Sequence, residues 1–200
     1  WLTLSHSLAC SVRMWDEQIA TFKDRFRILA FDTRGHGQSA APAGDYTLEQ
    51  MADDLKGLLD HLKISKTHYC GLSMGGMIGQ TFALKYPGIL QTLVLADTSS
   101  RIPPEVGPMW EERIKIAQSQ GMQPLVQPTL ERWFTPAYRS AHPEAMKRVG
   151  ALIANTPVPG YVGCCRAIPK LNLTARLKEI KVPIQIIVGA DDQGTPVAMS

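Results

Sequence analysis

The run His68-Tyr69-Cys70-Gly71-Leu72-Ser73-Met74-Gly75-Gly76 constrains this chain more than any other segment. It has the form G-x-S-x-G. A β-leaning stretch, Thr67 to Cys70, precedes it, and a small-residue helical pattern follows from Gly75 to Tyr86. In that context the string predicts a nucleophile elbow: a strand runs into a tight turn and the turn into a helix. The serine is strained in the turn and its Oγ is pushed out at the top of a sheet. Gly71 and Gly75 are needed because a Cβ at either would crowd the turn. The helix that follows aims its positive end at the place where an oxyanion would form. The plain alternative is a glycine-rich helix start that only packs. A dinucleotide turn would want G-x-G-x-x-G, and no Walker lysine follows. Gly75, Gly79 and Ala83 recur every fourth residue, a smooth stripe that lets a helix lie close to a sheet.

Strand and helix patterns alternate around this elbow. Leu2 to Ser5, Arg27 to Phe31, Leu93 to Ala96 and Ile184 to Val188 read as strands. The last is a near-continuous apolar run, the pattern of a parallel strand covered on both faces. Thr47 and Gln50 form a capping box, and Leu48, Met51, Leu55, Leu58, Leu59 and Leu62 make one helical face. Repeated β-α-β units imply an α/β fold with a mainly parallel, doubly wound sheet and its site at the carboxyl ends of the strands. Between Asp97 and Val182 the pattern changes. Prolines, methionines and aromatics accumulate, with helical segments near 109–120, 124–133 and 143–154. This reads as a helical lid, residues 101–179, inserted into a core of residues 1–100 and 180–200.

Composition narrows the function. The chain has 200 residues, is 44% hydrophobic and carries a net charge of +3 that is scattered. It offers no basic block for nucleic acid and no apolar run that approaches a membrane span. Cys10, Cys70, Cys164 and Cys165 lack metal spacing, so neither a metal nor another cofactor is expected, and reduced thiols fit a cytoplasmic setting. The first residue is Trp1 and the last strand is followed at once by a functional-looking loop. A chain truncated at both ends is therefore the expectation.

A serine nucleophile needs an acid, a base and an oxyanion hole. Asp192, in Gly189-Ala190-Asp191-Asp192 after the last strand, is the preferred acid and Asp191 the runner-up. Asp97 also ends a strand but reads as a structural cap. The oxyanion donors are the N–H of Met74 and, from the loop after the first strand, that of Leu8. No base is found. His6 and His36 lie on loops near the mouth in the wrong order, His61 on an exposed helix face, His68 at the start of the elbow strand and His142 in the lid. In the order Ser, Asp, His, the histidine belongs beyond Ser200.

Gly71-Leu72-Ser73-Met74-Gly75-Gly76, Asp32-x-Arg34-Gly35-x-Gly37-x-Ser39 and Gly189-x-x-Asp192-x-x-x-Pro196 together resemble the α/β-hydrolase superfamily over nearly the whole chain. A narrower set, His6-Ser7-Leu8-Ala9 with Met14-Trp15-Asp16, Glu131-Arg132-Trp133-Phe134-Thr135-Pro136 and Gly160-Tyr161-Val162-Gly163-Cys164-Cys165-Arg166-Ala167-Ile168, resembles 3-oxoadipate enol-lactonases. The chain departs from that pattern at His6, where asparagine is frequent, and at Leu171-Asn172-Leu173, where an acidic/basic pair is usual. The resemblance implies hydrolysis of a small anionic lactone in aromatic-compound catabolism, through an acyl-serine. It implies Arg132 as the cation for the substrate carboxylate and Trp133 as an apolar wall. The alternatives are another hydrolase of the same fold, whether a carboxylesterase, a carbon–carbon bond hydrolase or a haloperoxidase-like enzyme, and a ligand-binding protein without turnover. Oligomeric state is left open.

Overall fold

A computed structural model describes residues 1–199. Five strands form one parallel sheet: β1 (Leu2–Ser5), β2 (Ile28–Phe31), β3 (Thr67–Leu72), β4 (Leu90–Ala96) and β5 (Ile184–Ile187), in the order β2-β1-β3-β4-β5. The short helix α1 (Asp16–Phe22) joins β1 to β2, α2 (Leu48–His61) joins β2 to β3, and α3 (Met74–Lys85) joins β3 to β4. The Thr47–Gln50 capping box that starts α2 is formed. Helices α2 and α3 cover one face of the sheet, where Leu55, Leu59 and Phe82 pack on Tyr69 and Leu93. On the other face Phe26, just after α1, meets His68 edge-on. Leu62 is exposed rather than on the buried face, because α2 ends one residue before it.

The last strand departs from expectation. β5 pairs only with β4 and is the sheet edge. Ile184, Ile186 and Ile187 are 41, 50 and 52% exposed. Its apolar run therefore marks a strand built for burial that the described residues leave uncovered.

The segment between β4 and β5 is helical, as its pattern predicts. It comprises α4 (Gly107–Gln120), α5 (Gln123–Trp133), α6 (Pro136–Ala141), α7 (Pro143–Ala154) and α8 (Val158–Ala167). The sequence reading omits α6 and α8. In α8, Pro159, Gly160 and Gly163 look like helix breakers, yet the glycines serve packing. Gly160 lies backbone to backbone against Gly35, and Gly163 lies under the Tyr46 ring. Tyr46 N–H donates to the Gly163 carbonyl (3.3 Å), and Arg166 pairs with Asp45 (3.3 Å). Trp110, Ile114, Leu125, Leu130, Ile153 and Tyr161 of these helices share one core with Leu8, Met74, Met77 and Ile78. The helical layer thus packs directly onto the start of α3.

Two glycine substitutions should move stability in opposite directions. In a helix interior, alanine for glycine gains about 1 kcal/mol from propensity alone. At Gly57 in α2 nothing lies within 4 Å of a new Cβ, so Gly57→Ala should stabilise. At Gly160 a Cβ would overlap the Gly35 backbone, which has no room to move. Gly160→Ala should destabilise by about 1–3 kcal/mol despite the propensity gain. Urea unfolding midpoints check both, and a stabilised Gly160→Ala would refute the clamp.

Candidate active site

Ser73 occupies the turn between β3 and α3 with φ 53° and ψ −114°. Among the described residues only four non-glycine ones have positive φ, and Ser73 is one of them. A non-glycine residue held there stores roughly 1–3 kcal/mol of strain, so its surroundings must enforce the conformation. They do so through backbone. Ser73 N–H donates to the Ala96 carbonyl (2.9 Å), and the Ser73 carbonyl accepts from Thr98 Oγ1 (2.7 Å) as well as from Gly76 and Met77. A Cβ at Gly71 would overlap the Gly75 carbonyl, and one at Gly75 would overlap the Ser5 carbonyl. The elbow predicted from sequence is formed, and both of its glycines are required by close approach.

The same contact brings two loops together. The start of α3 abuts the backbone of Ser5 and His6, and the loop after β1 continues from there to Leu8. Met74 is the first residue of α3, where a helix leaves its N–H groups unpaired. Leu8 N–H likewise has no acceptor among the described residues. Leu8 and Ser73 line the same cavity.

Ser73, Leu8, Asp97, Asp192, Arg132 and Trp133 all line one cavity of about 1030 Å³ beneath the helical layer. Asp192 follows β5, two strand spacings or roughly 10 Å across the sheet from the β3 end that carries Ser73. Its Oδ1 accepts from Gly194 N–H (2.7 Å) and Thr195 N–H (3.1 Å), and its Oδ2 from Thr195 Oγ1 (2.8 Å). Asp191 makes no such bonds among the described residues. Asp97 Oδ1 accepts from Gly189 N–H (2.8 Å) and so ties the ends of β4 and β5, rather than capping the lid entry as expected.

No histidine among the described residues lines this cavity. His6 and His36 are corrected from loop positions near the mouth to fully buried ones. His6 Nε2 accepts from Thr33 N–H (2.9 Å) and His36 Nε2 from Ala9 N–H (3.0 Å). Burial holds both rings neutral, driving His6 below its ordinary range and His36 down to about 3, with the neighbouring His6 adding to the second shift. His68 bonds Thr92 Oγ1 at the far end of β3, His142 stacks on Tyr138, and His61 is exposed.

Arg132, at the end of α5, reaches the acid loop. A Cβ on Gly194 would lie 3.3 Å from Asp192 Oδ1 and 3.8 Å from Arg132 Nε. That Nε is buried and has no hydrogen-bond partner among the described residues, and Arg132 makes no ion pair there. Its neighbour Glu131 faces Arg139 instead (3.7 Å). A guanidinium N–H buried without an acceptor is costly unless a ligand supplies one. Sequence reasoning missed the Asp32 carboxylate. It accepts from Val12 N–H (2.7 Å) and Gln38 N–H (2.9 Å) and so braces the loop after β1. The only signal for it was the Asp32-x-Arg34-Gly35-x-Gly37 string.

The chain belongs to the α/β hydrolase fold family, whose match covers residues 1–200. It is 36% identical over 197 residues to 3-oxoadipate enol-lactonase 2 of Acinetobacter baylyi, covering 98% of this chain and 73% of that protein. The crystal structure of the enol-lactonase from Burkholderia xenovorans LB400 superposes with a TM-score of 0.95 at 38% identity, covering 100% of this chain and 76% of that one. A putative carbamate hydrolase, RutD of Agrobacterium fabrum, is 29% identical over 205 residues, 100% of this chain and 77% of that protein.

The buried histidines predict a pH response of definite sign. Each is neutral in the folded protein and has an ordinary value near 6.5 when unfolded. Below pH 6.5 the unfolded chain binds protons that the folded chain refuses, so stability falls with falling pH and continues to fall toward about 3. Above pH 7 this contribution is constant. Urea midpoints from pH 8 to 4 should drop, and the drop should be shallower in His36→Gln. Equal slopes for the two proteins would contradict the assignment.

Proposed function

We propose that this chain is a serine hydrolase whose substrate is a small anionic enol-lactone, 3-oxoadipate enol-lactone in the first instance. The observation that carries the reading is Arg132, a cation with a buried, unsatisfied N–H in the cavity that also holds Ser73. The likeness to enol-lactonases supports it. Ser73 is the nucleophile, Leu8 and Met74 N–H the oxyanion donors, Asp192 the acid that orients the base, and Trp133 a wall of the pocket. The base is a histidine supplied from outside the 200 residues, since all five in the chain are accounted for elsewhere. No metal or cofactor takes part in this scheme, and a cytoplasmic setting fits the four free thiols.

The chemistry follows from these positions. Arg132 takes the substrate carboxylate and turns the lactone carbonyl toward Ser73, raising the effective concentration of the reacting groups. Ser73 Oγ adds to the carbonyl carbon as its proton passes to the base. The oxyanion is held by the two N–H groups, each typically worth roughly 10²–10³ in kcat. The ring C–O bond then breaks, and the enol oxygen that leaves takes the proton back. It stays tethered and tautomerises to the ketone. Water, deprotonated by the base, adds to the acyl carbon, Ser73 leaves with a proton, and the dicarboxylate is released.

The test is selective loss. Arg132→Ala should lower kcat/KM for the anionic lactone about tenfold to a hundredfold, the equivalent of roughly 1.5–3 kcal/mol for one charge-assisted bond, and spare a neutral aryl ester. Equal loss on both substrates would make Arg132 a packing residue. Good turnover of a carbamate or of neutral esters with none of the lactone would move the chain to another hydrolase class.

The nucleophile and the base have their own checks. In the complete protein, with its base, Ser73→Ala should abolish labelling by a fluorophosphonate. Residues 1–200 alone should show little turnover. Robust turnover lost on mutating His142 would place the base inside the chain.

A further inference from the structure

The loop that carries Leu8 is pinned from two sides by imidazoles the chemical scheme does not use. Ser7-Leu8-Ala9-Cys10 forms a tight turn, with Cys10 N–H donating to the Ser7 carbonyl (3.3 Å) and Ala9 at φ 59°. His6 Nδ1 lies 2.8 Å from the same Ser7 carbonyl. Its Nε2 faces the Thr33 N–H, so Nε2 must be the acceptor, and the ring proton therefore sits on Nδ1 and is donated to Ser7. His36 repeats the arrangement from the opposite loop. Its Nε2 accepts the Ala9 N–H (3.0 Å), and its Nδ1 faces the Arg34 carbonyl (3.3 Å). The two rings lie 5.1 Å apart, and both residues are fully buried.

Peptide geometry converts these bonds into aim. The unit joining Ser7 to Leu8 is planar and trans, so its C=O and N–H point in opposite directions. Fixing the Ser7 carbonyl with two donors fixes the Leu8 N–H, which is the one left free. The next unit, Leu8 to Ala9, is fixed through its own N–H by His36. We propose that His6 and His36 are positioning residues that hold the two peptide planes flanking Leu8, and so direct its N–H at the oxyanion formed on Ser73. This rests on acyl transfer at Ser73 but not on any particular lactone.

Two measurements test it. The first needs no turnover. Long-range ¹⁵N–¹H spectra between pH 7 and 8 should show both rings as neutral Nδ1–H tautomers, and an Nε2–H tautomer at either ring overturns the proposal. The second is the rate at which a fluorophosphonate labels Ser73, measured on folded protein. His36→Leu and His6→Leu should label roughly 100-fold more slowly, as for loss of one oxyanion donor. His36→Gln keeps an acceptor for Ala9, and His6→Asn keeps a donor for Ser7, so each should recover most of the rate. Leucine and conservative variants that fall equally, or not at all, at unchanged thermal midpoints would assign the histidines to packing alone. If the full-length protein that carries the base does not label, the reading of Ser73 fails, and the ring tautomers still decide the proposal. If it labels but spares the lactone, only the substrate is wrong.

Discussion

The rest of the site depends on one backbone approach, that of Gly75 to Ser5. It lets α3 begin directly on top of the sheet, so the turn before it has no room to relax and Ser73 is held at a positive φ. The free N–H groups at the start of α3 arrive at the same point by necessity, because a helix that starts there must leave them unpaired. Strain and unpaired backbone donors are thus two results of a single contact. The contact needs a residue without Cβ, and no rearrangement of side chains could substitute for it.

A second close approach, Gly35 to Gly160, does the same for the helical layer. It seats α8 against the loop after β2, and Tyr46 and the Arg166–Asp45 pair add contacts around it. From that seat the shared core runs through Trp110, Leu125 and Leu130 to α5, whose last turn carries Arg132 over the acid loop. The cation is therefore positioned by packing rather than by a carboxylate partner. An arginine fixed by an ion pair would offer a ligand little, whereas one fixed by apolar neighbours keeps its donors available.

What was legible in the sequence divides along physical lines. The elbow could be read because its requirements are local: two glycines at fixed offsets, a strand before and a helix after. The capping box of α2 could be read for the same reason. Helix α8 could not, since Gly160 and Gly163 weaken a helix by propensity and serve it only through tertiary contact with Gly35 and Tyr46. His6 and His36 looked like mouth residues because polar side chains on loops usually meet water. Their burial depends on the other loop supplying a backbone N–H to each ring, a match no periodicity reveals. Arg132 was singled out by resemblance alone, and its spacing on α5 says nothing about a cavity.

The acid loop shows how far the site is prepared. A carboxylate accepts about four hydrogen bonds. Asp192 receives three from its own loop, two on Oδ1 and one on Oδ2, which leaves one position on Oδ2. Three donors fix the plane of the group and leave the fourth position open toward the cavity. Asp191 has no such framework among the described residues. The ends of β3 and β5 that carry Ser73 and Asp192 lie two strand spacings apart, roughly 10 Å, too far for a direct bond. The exposed isoleucines of β5 lie on the strand that delivers this acid.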